Sequence, residues 1–170
     1  MANTETSQKP FIITRTFDAP RDLVWEVWTN PEHMKKWFSP KGFKGRVGKM
    51  ELRPGGMYHY CLTDPEGKDM WGKAMYKEIE KPQKIVYVNS FSDEKGGTTH
   101  HPLSPNWPLE MLTTITFEEQ GDQTMVTVVW VPMNATDLEK QTFEEGRGSM
   151  TQGWSGTFEQ LEEYLGTVSQ

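Results

Sequence analysis

FDAPRDLVWEVWTNPEHMKKWFSP, residues 17–40, is the stretch from which the rest of the chain can be read. Three of the seven tryptophans, Trp25, Trp28 and Trp37, fall within thirteen residues of it. Pro20 suits a first helical turn, where a missing N–H removes no intrahelical bond. Asp22 follows as an acid near the positive end of the helix dipole. Asn30-Pro31-Glu32 then restarts the pattern with a cap, a proline and an acid. The stretch predicts a helix of about two and a half turns, a break, and a second short helix. Trp25 and Trp28, three apart, share a face of the first helix. So much flat apolar surface with an N–H at its edge points to a core or cavity built from rings.

Working outward, FIITRTF (11–17) is β-rich and reads as the first strand. Phe43–Leu52 is a weaker strand, loosened by Gly45 and Gly48, and Arg53-Pro54-Gly55-Gly56 is a turn. MYHYCLT (57–63) alternates, with Tyr58, Tyr60 and Leu62 on one side and Met57, His59 and Cys61 on the other. Met70–Glu80 and Ile85–Phe91 read as further strands. Asp93–Leu109 is a long loop of the kind that is often functional. Met111–Glu119 and Thr124–Val131 form a hairpin around Gly121-Asp122.

The last segment is helical. Thr136 and Glu139 have capping-box spacing, Gly146 and Gly148 are expected to bend or break the helix, and Gly166 to end it. Met150, Trp154, Phe158, Leu161 and Leu165 form one apolar stripe. Gly153 and Gly156 flank Trp154, where close helix–sheet contact is the expected reason for glycine. Successive strands joined by tight turns pair as antiparallel neighbours. The long amphipathic helix is the element large enough to cover one face. A strongly curved sheet wrapped on one helix leaves an apolar gap between them.

With 18 basic and 24 acidic residues the net charge is −6, which argues against nucleic acid as the main partner. No apolar run approaches the length of a membrane span, so no membrane insertion is expected. The single cysteine, Cys61, excludes an internal disulfide and reads as a small packing residue. Residues 1–10 lack the apolar core of a signal peptide and read as a disordered lead-in. One domain over 11–166 follows, with 167–170 as a tail and a cytoplasmic setting expected.

Five pieces carry a resemblance: residues 17–40 quoted above, RPGGMYHY at 53–60, GKAMYKEI at 72–79, KIVYVNSF at 84–91 and GWSGTFEQLEEYL at 153–165. In that order and spacing they resemble the activator of heat-shock-protein-90 ATPase homologue-like family of the START-like, birch-pollen-allergen-like (SRPBCC) superfamily. The resemblance implies an α+β helix-grip fold. In it a curved antiparallel sheet of about seven strands grips a long C-terminal helix, with two short helices after the first strand and an internal cavity. The superfamily includes lipid and hormone binders, polyketide cyclases, oxygenase subunits and co-chaperone domains, so the fold alone does not choose a function.

The ligand-binding residues expected are Trp28, Trp37 and Phe38 at the cavity mouth opposite Trp154, Tyr58 and Tyr60 pointing inward, and Trp71, Met75, Tyr87, Met111, Ile115 and Phe158 completing the lining. Trp37, leaving a short helix toward a proline-bounded loop, is expected half-exposed, and Trp25 reads mainly as packing. His100-His101 lacks further ligands at metal spacing, so no metal is expected. No cofactor motif and no catalytic signature is present. Arg53, His59, Glu78 and Asn89 are the polar residues on or beside strands, without pairing in sequence.

Three function classes follow. The first is binding of a small hydrophobic ligand, aromatic or lipid-like, between sheet and helix. The second is a protein-interaction module with a chaperone or other protein partner. The third is a cyclase or hydrolase using cavity groups such as His59 or Glu78. The balance leans away from an enzyme, and a homodimer is compatible with each class.

Overall fold

The computed structural model describes residues 9–39, 42–101 and 104–168. The expected lead-in at residues 1–8 and tail at 169–170 lie outside the described residues. Strand β1 (Phe11–Phe17) is followed by helices α1 (Arg21–Thr29) and α2 (Pro31–Trp37). Strands β2 (Lys44–Met50), β3 (Met57–Thr63), β4 (Asp69–Glu80) and β5 (Lys84–Ser92) come next. A two-residue strand β6 (Thr98–Thr99) precedes the hairpin of β7 (Glu110–Gln120) and β8 (Gln123–Met133). Helices α3 (Asp137–Glu145) and α4 (Arg147–Val168) close the chain.

All pairings are antiparallel, in the order β1-β8-β7-β5-β4-β3-β2, with β6 on the edge of β5. This is the helix-grip arrangement: α4 lies along the concave face. Its buried residues are Met150, Trp154, Phe158, Leu161 and Leu165, the stripe expected from the sequence. The break before α4 falls at Gly146, and Thr136 with Glu139 makes both arms of the capping box. Gly166 does not end the helix, which runs on to Val168. Arg147, in the first turn of α4, donates to the carbonyls of Lys9 and Pro10, tying β1's entry to the C-terminal helix.

Helices α1 and α2 close one end of the concave face. Asn30 caps α2, its Oδ1 accepting from Glu32 N at 2.9 Å, and Pro31 takes the first helical position. A proline there has no N–H to give to the carbonyl four residues back, which is Val27. Trp37 supplies the missing donor: its Nε1 donates to Val27 O at 2.9 Å. Trp37 is consequently fully buried, correcting the expectation of half exposure. Its ring meets Trp28 edge-on at 4.7 Å, and Trp25 and Trp28 both pack on Phe117 of β7, at 5.3 and 5.5 Å. From the other side Gln160 of α4 donates to the carbonyls of Trp37 and Ser39. His33 and Tyr164 share a hydrogen bond of 2.5 Å.

Trp37→Phe removes that donor, orphans a buried carbonyl and leaves a void. It should lower the unfolding free energy by about 2–4 kcal/mol, read as a shift in the urea midpoint at unchanged slope. A loss below about 0.5 kcal/mol, the scatter of ordinary surface substitutions, would remove the bond's assigned role.

Candidate functional site

Beyond the end filled by α1 and α2, the space between the concave face and α4 is not filled. A cavity of about 390 Å³ lies there, between the ends of β3, β4, β5, β7 and β8 and the N-terminal half of α4. Its size falls in the range of about 300–1,000 Å³ typical of small-molecule sites. The strands contribute Tyr60, Leu62, Met70, Asn89, Phe91, Met111 and Trp130. Helix α4 contributes Ser149, Met150, Gly153, Trp154 and Thr157, and Trp107, Pro108 and Leu109 form a third wall. A smaller recess of about 50 Å³ lies deeper, lined by Trp28, Met34, Tyr58, Ala74, Tyr76, Ile85 and Tyr87. Cavity and recess share Phe38, Tyr60, Asn89, Trp130 and Trp154, which form a neck between them.

Glycines shape this space in two ways. Gly72 pairs with Tyr60 across the β3–β4 ladder, and a Cβ at Gly72 would lie 2.5 Å from the Tyr60 hydroxyl and ring. The phenol can lie over the sheet because the position opposite carries no side chain. Gly146, at the α3–α4 break, plays the same part for Trp107, whose ring would lie 2.9 Å from an added Cβ. Gly153 and Gly156 differ: a Cβ at either meets nothing within 4 Å. The expectation of close helix–sheet contact is therefore wrong there. Gly153 borders the cavity, so the helix stands off from the sheet rather than touching it.

The described lining of the cavity carries no Lys, Arg, Asp or Glu. Its titratable groups are held neutral near pH 7. Burial pushes the Tyr60 hydroxyl up to about 12 and lowers the His101 imidazole from its ordinary 6.5. In the recess, burial also raises Tyr58, Tyr76 and Tyr87, with neighbouring tyrosines adding to the effect at Tyr58 and Tyr87. The His101 ring packs on Phe91 at 4.6 Å.

Of the residues expected in the lining, Phe38, Tyr60, Met111 and Trp154 border the cavity, and Trp28, Tyr58 and Tyr87 border the recess. Trp71 reaches the rim, but its indole stacks on His59 at 4.8 Å under the Arg46 guanidinium, on the convex face. Four residues line neither space. Trp37 is committed to Val27, and Ile115 and Phe158 are core. Met75 alternates with the inward Ala74 and Tyr76 and so points to the convex side. His59 lies on that side too, its Nε2 bonded to Asp93 O at 2.9 Å. Glu78 sits at a bulge and pairs with Lys84 in solvent. Neither residue borders the cavity in which an enzyme reading needs them.

Trp107, Trp130 and Met150 were not among the expected lining residues. Trp130 was within reach of alternation, since Val126, Val128 and Trp130 share one face of β8. Trp107 had no periodic signal, only Pro105 and Pro108 around it.

The model of the family described as Activator of Hsp90 ATPase homolog 1-like protein matches residues 18–166. The chain belongs to this family. Solved structures of the same fold include protein Ms6760 from Mycobacterium smegmatis, with 24% identity, TM-score 0.76, and coverage of 92% of this chain and 90% of that one. A solution structure from Arthrobacter aurescens has 23% identity, TM-score 0.79, and coverage of 99% and 92%. One from Staphylococcus epidermidis has 28% identity, TM-score 0.74, and coverage of 96% and 94%. No curated protein matches the sequence. No helix among the described residues is long and apolar enough to cross a membrane.

Four of the five tyrosines, Tyr58 and Tyr76 buried and Tyr60 and Tyr87 half-buried, make a pH prediction. Each phenol keeps its proton more tightly in the folded chain than in the unfolded one, whose tyrosines ionise near 10. Their contribution to stability is complete below pH 10 and is lost as pH rises above it. The urea midpoint should hold up to about pH 9.5 and fall steeply beyond, with phenolate absorbance appearing together with unfolding. Phenolate absorbance rising before unfolding by more than the one equivalent that Tyr164, outside this cluster, can supply would contradict the burial argument.

Proposed function

We propose that this domain binds a small, uncharged, largely apolar molecule between the concave face of the sheet and α4. The observation that carries this is a cavity of about 390 Å³ whose described lining is rich in rings and holds no acid or basic residue other than a histidine. An ionised ligand entering it would shed water without meeting a counter-charge. A neutral lipophile replaces water against aromatic walls and gains about 25 cal/mol per Å² of apolar surface buried. Met70, Met111 and Met150 add adaptable walls. A cytoplasmic setting is part of the proposal and rests on the acidic balance and the single cysteine.

Titration of isotope-labelled protein with a library of neutral lipophiles tests the reading. Binders should move resonances of Tyr60, Asn89 and Trp154, and Gly153→Leu, which fills the cavity from the helix side, should abolish the response while the protein remains folded. A library without any compound that perturbs these residues would sink the proposal.

A second reading comes from the family's own description, which is that of chaperone-ATPase activators. In that reading the domain contacts an Hsp90-type chaperone as its protein partner. Adding the purified chain to Hsp90 should then raise its ATPase rate, and an unchanged rate counts against this partner.

A further inference from the structure

Trp130 sits on the concave face of β8 opposite Thr113 of β7, at the neck shared by cavity and recess. Its indole N–H is buried and meets no hydrogen-bond acceptor. The neighbours explain why. Phe11 and Trp154 present ring edges and faces at 6.1 and 5.8 Å between centroids. Thr113, the polar residue across the ladder, donates its hydroxyl proton to Asn89 Oδ1 at 2.5 Å. That bond takes one lone pair of the Asn89 oxygen and leaves the Nδ2 hydrogens without a side-chain or backbone acceptor among the described residues. Trp130 Nε1 can only donate, and Asn89 Nδ2 adds donors of its own at the neck.

We propose that Trp130 Nε1 and Asn89 Nδ2 form a donor pair that receives a neutral oxygen acceptor of the ligand, of the carbonyl or ether type. This rests on the cavity being a ligand site and narrows what occupies it. A plain hydrocarbon filling the neck would leave a buried donor unpaired. A carboxylate would offer acceptors but carries a charge that the described lining does not compensate. An apolar body with one uncharged oxygen satisfies both constraints.

The test uses the full chain and three matched probes at pH 7: 2-acetylnaphthalene, 2-ethylnaphthalene and 2-naphthoate. The acetyl compound should bind about tenfold tighter than the ethyl compound, the worth of one satisfied buried donor. Naphthoate should bind weakest. The indole proton of Trp130, assigned by its loss in Trp130→Phe, should move downfield with the acetyl probe and not with the ethyl probe. Trp130→Phe should erase the acetyl advantage, so that the two neutral probes bind within about twofold of each other, well under the tenfold effect being read. Asn89→Leu, at a second position, provides the same comparison if the tryptophan variant does not fold. Equal affinities in the wild-type chain, an advantage that survives in both variants, or naphthoate binding tightest each overturn the donor pair. If neither neutral naphthalene binds, the ligand-site reading falls first and takes the donor pair with it.

Discussion

The architecture depends on one hydrogen bond whose need is created where one helix ends and the next begins. α1 ends at Thr29 and Asn30 is extended, so the Val27 carbonyl has no helical donor, and Pro31 has no N–H to offer it. The Trp37 indole returns that donor from the end of the next helix. Two helices too short to be stable alone are thereby locked into one angular unit. With Trp25, Trp28 and Phe117 stacked beneath it, the unit fills one end of the concave sheet with rings. The aromatic bulk concentrated in residues 25–37 is spent on closing that end.

The opposite end is built on the contrary rule. Where α4 passes over β3, β4 and β5 it carries Ser149, Gly153 and Thr157, and the facing strand position at Gly72 is bare. Small residues on both sides leave the space between helix and sheet unfilled, and Tyr60 lies over the bare position at Gly72. A glycine within a helix costs about 1 kcal/mol relative to alanine, and Gly153 and Gly156 receive no packing in return. At Gly153 that stability is given up on the border of the hollow.

The fold was legible because its signals are local. Caps and prolines mark α1 and α2, alternation marks β3, and a four-four-three-four stripe marks α4; each survives in the structure. The site was only partly legible because lining a cavity is a property of faces brought together. Alternation put Tyr58 and Tyr60 on one face and the family resemblance made that face the inner one; Tyr58 borders the recess, and Tyr60 borders both cavity and recess. Trp37 was misread because its environment depends on an orphan carbonyl ten residues earlier, and which side chain turns back to meet it is set by the angle between the two helices. Met75 was misread because the lining was chosen by chemistry and not by the parity of its strand. Trp107 could not be read at all, since it acts through a loop with no period.

Trp107 leans on a position that has no side chain. The backbone at Gly146 is where the helical path breaks, and the ring fits only because nothing projects there. The tryptophan is also packed on Phe143 at 5.9 Å, one turn earlier, and forms part of the cavity wall. Even a methyl group at residue 146 would shove the wall inward or outward. The capacity of the hollow is thus adjustable from a joint between two helices, by a substitution that never meets what the hollow contains.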